Sequence, residues 1–216
     1  MKRALPLALC LLPVGLTAHP HVFVDTGLEV IFDDQNRLIH VRVTWAYDDF
    51  YSLLILEELQ LDQDADNNLT PEESRRLTGF DMNWVPGFTG DLDVRLGGQA
   101  LKLSGPLEPT AELRDGRIVT SHLREVTGQP AMLGETLSLR AYDESFYTSY
   151  DLTLPVRVSG GNTCMTDRVD PDIDQKLRDM QAFLLTLDAN ADLEENDIPM
   201  IGAEFATEIR ITCPNS

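Results

Sequence analysis

Between Leu61 and Glu73 the chain reads Leu-Asp-Gln-Asp-Ala-Asp-Asn-Asn-Leu-Thr-Pro-Glu-Glu, with Asp62, Asp64 and Asp66 at alternate positions. A curling backbone can turn three such carboxylates onto one ion, as the first, third and fifth ligands of an EF-hand loop. Asn68 then falls at the seventh position, where a backbone carbonyl binds. Leu69 falls at the apolar eighth, and Glu73 at the twelfth, where a bidentate carboxylate closes the site. The sixth position is Asn67 where glycine is expected, because the chain turns there with positive φ; asparagine is the next most tolerant residue. Calcium is the ion these hard oxygens predict, in a structural role, since a single loop lacks a sensor's partner. A solvated acidic turn followed by a capping box, Thr70-Pro71-Glu72-Glu73, accounts for the same residues without an ion.

The histidines are the second set. Met1-Lys2-Arg3, the apolar run from Ala4 to Leu12 and the small residue Ala18 predict a secretory signal over 1–18, leaving 19–216 as one exported domain, periplasmic or secreted. Cleavage there frees the amine of His19. An α-amine and imidazole on one residue, with His21 two places on, form a nitrogen set suited to copper, nickel or zinc. Pro20 has no amide proton, so the familiar amino-terminal copper and nickel motif is excluded. The other reading of the pair is the exposed lead-in to a strand. His122 reads first as a partly buried structural histidine and second as a further metal ligand; His40 reads as exposed.

With 17 Lys+Arg against 36 Asp+Glu, the formal net charge is −19. Nucleic acid and anionic lipid are therefore disfavoured partners and cations favoured ones. No membrane insertion is expected once the signal is removed. Cys10 leaves with the signal, and Cys164 and Cys213 in an oxidising compartment predict one disulfide, with a thiolate metal site as the alternative.

Elements must position these groups. Val22 to Phe32 and Leu38 to Trp45 alternate as the strands of a hairpin around Asp33-Asp34-Gln35-Asn36. Asp49 opens a helix to Leu61 that is apolar on two faces, and an exit helix from Pro71 carries Leu77 and Phe80. Together they make 49–80 a helix, calcium loop and helix inserted in the domain. Asp48 and Asp49 read as its cap. Short strands follow at Leu92 to Leu96, Ala100 to Leu103, Ala111 to Arg114, Arg117 to Leu123, Thr136 to Tyr142 and Phe146 to Val158, with Gly97-Gly98 and Asp115-Gly116 as tight turns. A C-terminal helix from Pro171 to Leu187 precedes a second acidic loop, Asp188, Asn190 and Asp192, that lacks its closing acid, and a final strand lies within Glu204 to Cys213. The fold class is α+β: an antiparallel, β-rich, sandwich-like domain with an EF-hand-like helix-loop-helix insert and a C-terminal helix plus strand.

His19-Pro20-His21-Val22-Phe23-Val24-Asp25, Trp45-Ala46-Tyr47-Asp48-Asp49-Phe50-Tyr51-Ser52, the acidic loop and Tyr142-Asp143-Glu144-Ser145-Phe146-Tyr147 together resemble the bacterial domain-of-unknown-function family 1007. Its members are labelled periplasmic components of ABC-type transport systems. The likeness spans nearly the whole mature chain, departing at Asn67 and at Glu144, where the family tends to have proline. It implies an exported accessory of a nickel, cobalt or zinc transporter, with metal ions and a membrane cation transporter as partners. It carries no established reaction. The leading expectation is therefore a non-enzymatic metal-binding accessory stabilised by calcium. The alternatives are a secreted copper oxidoreductase using His19 with His21 or His122, and a calcium-stabilised interaction module. The chain has no Gly-rich phosphate loop, nucleophile elbow or Cys-x-x-Cys pair.

Overall fold

The computed structural model describes residues 20–160, 164–176, 178 and 201–214. The predicted signal 1–18, His19, most of the predicted helix 171–187 and the second acidic loop lie outside these residues; a helical turn at 173–176 marks that helix's start.

Alternating apolar residues fold the first hairpin as expected. β1 (Val22–Phe32) and β2 (Leu38–Tyr47) pair antiparallel, with an irregularity at Ile31/Phe32. The turn between them is held by Asp33, whose Oδ1 accepts the backbone N–H of Gln35 and of Arg37, each at 2.9 Å. β3 (Leu92–Leu96) and β4 (Gln99–Ala100) turn at Gly97-Gly98, and β5 (Leu107–Arg114) and β6 (Arg117–Glu125) turn at Asp115-Gly116. All four turn residues have positive φ, as mirror-image hairpin turns require. β6 pairs antiparallel with β2.

The other edge of β1 departs from expectation. The run from Phe146 to Val158 is not one strand but two, β8 (Thr148–Asp151) and β9 (Val156–Ser159), and both run parallel to β1. This sheet is therefore mixed rather than purely antiparallel. Proline 155 cannot donate to a ladder. The chain steps out at Leu154 and Pro155, with Leu154 N–H donating to Thr26 O at 3.2 Å and Leu28 N–H to Pro155 O at 3.3 Å. The step crosses β1 at Gly27, where an added Cβ would lie 3.0 Å from Leu154 Cβ.

The second sheet is antiparallel, in the order β10 (Met165–Val169), β11 (Glu208–Thr212), β7 (Thr136–Ala141), β3, β4. β10 was not expected, and a short helix, α3 (Gly202–Phe205), precedes β11. The Cys164–Cys213 disulfide is formed at the end of the β10/β11 pair, across a separation of 49 residues. A loop of that length is worth about 4 kcal/mol in the chain-entropy account. Buried residues of both sheets, among them Val30, Val41, Leu137, Leu139 and Ile211, join one core cluster.

α1 (Asp49–Glu58) stops three residues short of the expected Leu61, at a turn where Gln60 has φ 51°. Asp48 caps it, accepting Tyr51 N–H at 2.8 Å. Ser52 and Leu56 are buried and Ser52 Oγ accepts Ile118 N–H at 2.9 Å, while Phe50, Leu53 and Leu54 face outward. So only one of the two apolar faces is covered by the described residues. α2 (Pro71–Leu77) has the capping box at Thr70 and Glu73, and buries Leu77 in the core with Leu61. Loop and helices are thus anchored on the β-core at Leu56, Leu61 and Leu77.

Candidate functional site

The acidic loop between α1 and α2 gathers its aspartates. One ligand oxygen from each of Asp62, Asp64 and Asp66 lies within 4.8 Å of the others, and among the described residues this is where three ligating side chains converge. The curl has a local cause. Asp62 accepts the N–H of Asp66 on Oδ1 (3.1 Å) and of Asn67 on Oδ2 (3.3 Å), and Asp66 Oδ1 accepts Asn68 N–H at 2.7 Å. Ala65 and Asn67 have φ of 54° and 59°. Asn67 thus makes the left-handed turn expected of glycine, a conformation asparagine tolerates. The loop borders a hollow of about 560 Å³ lined by Asp64, Asp66, Asn68, Thr70 and Glu73.

Glu73 is at this hollow, but its oxygens serve the backbone. Oε1 accepts Asp62 N–H at 3.0 Å, and Oε2 accepts the N–H (2.8 Å) and hydroxyl (2.7 Å) of Thr70. These bonds, the Thr70 hydroxyl first, hold its carboxyl below the usual range. An ion entering the loop would compete with the capping box for Glu73, as it would with the backbone N–H groups of Asp66 and Asn67 for Asp62.

His21 is exposed where β1 begins; its N–H donates to Tyr147 O at 2.8 Å and its ring lies 4.9 Å from that of Tyr147. Asp48 ties this strand end to α1, accepting Phe23 N–H at 2.8 Å. His19 lies outside the described residues. His40 is half-buried rather than exposed. His122 is not brought to His21: it is fully buried (0% exposed), its ring centroid 4.7 Å from Trp45 and 5.4 Å from Trp84, and neither ring nitrogen has a hydrogen-bond partner. Burial first, then the charges of Arg124 and Arg42, push its pKa down to about 3, so the ring is neutral at pH 7.

Sequence reasoning missed the polar group surrounding this histidine. In the β1/β2/β6 register Trp45 sits opposite both Thr26 and Thr120, and Val43 opposite His122. Thr26, Trp45, Tyr47, Thr120 and His122 therefore share the core-facing side of the sheet. The segment after α2 lies against them. Asp81 Oδ2 accepts the hydroxyls of Tyr47 (2.7 Å) and Thr120 (2.8 Å), while Oδ1 is buried without a partner. Trp84 Nε1 donates to Asp81 O at 2.9 Å. Asp91 accepts Tyr150 OH at 2.9 Å; burial, reinforced by Asp143 and Glu144, pushes its carboxyl up to about 6. Burial also raises the carboxyl of Asp81 and the phenols of Tyr47 and Tyr150. The signal was present in the alternation of β6, which puts polar residues in phase with buried ones.

The family of proteins of unknown function DUF1007 matches residues 4–213 of this chain. The chain belongs to this family. No curated protein matches it. This DUF1007 protein carries two dense polar groups, the acidic loop and the cluster around His122. No helix among its described residues is long and apolar enough to cross a membrane. Its disulfide fits an oxidising, non-cytoplasmic compartment.

Proposed function

We propose that this DUF1007 protein is an exported, non-enzymatic metal-binding accessory of a nickel, cobalt or zinc transport system, with calcium as its structural ion. The convergence of Asp62, Asp64 and Asp66 within 4.8 Å, on a loop whose sixth residue makes the left-handed turn, carries the calcium reading. Those three carboxylates, the Asn68 carbonyl and a released Glu73 would form the oxygen set. The loop and both helices rest on the core through Leu56, Leu61 and Leu77, so neutralising the aspartates stabilises an anchored element rather than a free turn. The exposed His21 supports an exchangeable transition-metal site with His19 at the start of the mature chain.

The test uses the secreted form after intact-mass measurement of its first residue. Zinc, nickel and copper titrations should give tight binding that His21→Ala weakens by about tenfold or more, with the calcium response unchanged. Transition-metal affinity indifferent to that substitution contradicts the accessory role. It would favour the second reading, a calcium-stabilised interaction module, which the outward face of α1 supports: Phe50 is 68%, Leu53 53% and Leu54 45% exposed.

A further inference from the structure

Arg124 is a charge without a counter-ion. Its side chain, 3% exposed, lies over the Trp84 ring at 4.7 Å. Nε donates to Ser104 O at 2.5 Å and Nη1 to Thr89 O at 3.0 Å. Among the described residues no carboxylate lies within ion-pair distance of it, and Nη2 makes no hydrogen bond to them. Gly90 (φ +72°) lets the backbone come this close: a Cβ there would stand 2.5 Å from Nη1 and 2.4 Å from Trp84 Cη2. A guanidinium taken out of water and met only by carbonyl dipoles retains an unfilled preference for an anion.

Asp91 has the complementary deficit. It is half-buried, accepts the Tyr150 hydroxyl, has no cation within ion-pair distance among the described residues, and feels the like charges of Asp143 and Glu144. Arg124 and Asp91 line the same cleft, of about 930 Å³, whose walls include Trp84, Phe88 and Tyr142. Thr89, whose carbonyl holds the guanidinium, and Asp91 are two residues apart, so both charges belong to one stretch of the cleft wall. A ligand whose ammonium and carboxylate are carried by one carbon can hydrogen-bond to two such groups at once.

The sign pattern selects the ligand class. A simple anion satisfies Arg124 but meets Asp91, Asp143 and Glu144; a simple cation meets Arg124, Arg95 and Lys102. A zwitterion satisfies both, and the aromatic walls favour an apolar side chain. We propose that this cleft binds a free α-amino acid with an apolar side chain, its carboxylate on Arg124 Nη2 and its ammonium on Asp91. The site is separate from the acidic loop and from His21, and it stands whether or not metal is bound there.

Calorimetric titration of the full mature chain with L-phenylalanine and L-leucine tests it. Saturable binding of at least one is expected. N-acetyl-L-phenylalanine, which lacks the ammonium, and phenethylamine, which lacks the carboxylate, should each bind at least about tenfold more weakly. Arg124→Gln should abolish binding, and Asp91→Asn should weaken it about tenfold. Because Arg124 is also packed on Trp84, its variant counts only if its melt remains cooperative; the Asp91 variant and the two blocked ligands decide the matter otherwise. Absence of saturable heat for both amino acids up to about 10 mM, equal binding of the blocked analogues, or binding unchanged in Asp91→Asn overturns the proposal.

Discussion

The acidic loop and the cluster around His122 are both dense in polar side chains, and they solve opposite electrostatic problems. In the loop, carboxylates crowd one another in contact with water, where a cation can come to them. Around His122, acids, phenols and an imidazole have lost water, and the protein supplies hydrogen bonds to some atoms and none to others. Crowded exposed charge stores an attraction for an ion; burial shifts each group's pKa towards its neutral form. Substitutions should therefore separate the two regions. Changes in the cluster should lower stability without touching the calcium response, and changes at the loop's aspartates should do the reverse.

The largest effect is expected at Trp45, which packs against His122, Tyr47 and Tyr150. Trp45→Ala should cost about 3–5 kcal/mol in urea unfolding, as large-to-small core substitutions do. The gain in melting temperature from calcium should survive. A variant that loses both would mean that the two regions are one cooperative unit.

Acid should divide the buried cluster itself. The folded pKa of His122, about 3, lies below its unfolded value of 6.5, so the unfolded chain binds the proton first and stability falls as pH drops below 6.5. Asp91 has the opposite sign. Its folded pKa of about 6 exceeds 3.8, so the folded chain binds the proton first and stability rises as pH drops from 6 towards 4. The raised carboxyl of Asp81 acts in the same sense. In Asp91→Asn the rising contribution is gone. Relative to wild type, its stability should fall by about 1.4 kcal/mol per pH unit between pH 6 and 4, read from denaturant midpoints across that range. Parallel curves for the two proteins would contradict the assignment.

A smaller effect sharpens the loop side. Thr70→Ala removes the hydroxyl that caps α2 and holds Glu73 Oε2, and should cost about 1 kcal/mol without calcium. Because it also releases Glu73, the loss should shrink when calcium is present. An equal loss with and without the ion would mean that Glu73 never leaves the cap.

Local patterns carried much of the architecture. Period-two alternation marked β1, β2, β3, β6 and β7, the paired turn residues marked two hairpins, and Thr70-Pro71 marked the start of α2. The loop was legible because its chemistry is contiguous, each aspartate two residues from the next. What escaped the sequence depends on distant partners. The parallel pairing of β8 and β9 with β1 joins residues more than a hundred positions apart, and nothing local in Phe146 to Val158 distinguishes parallel from antiparallel neighbours. Asp81 and Trp84 look like a polar loop until they are laid against Tyr47, Thr120 and His122. The helix from Asp49 is apolar on two faces, and apolar character alone does not say which of them is covered.

The most direct measurement is the melting temperature of the mature protein with and without millimolar calcium, for wild type and for Asp64→Asn. Among the described residues the Asp64 side chain makes no hydrogen bond or ion pair, so the substitution removes its charge from the triad and little else. Wild type should gain several degrees with calcium. Asp64→Asn should melt within about 0.5 kcal/mol of wild type without the ion and gain little or nothing with it. A wild-type melting temperature indifferent to calcium, or a full gain retained by Asp64→Asn, would contradict the proposal that this loop is an ion site.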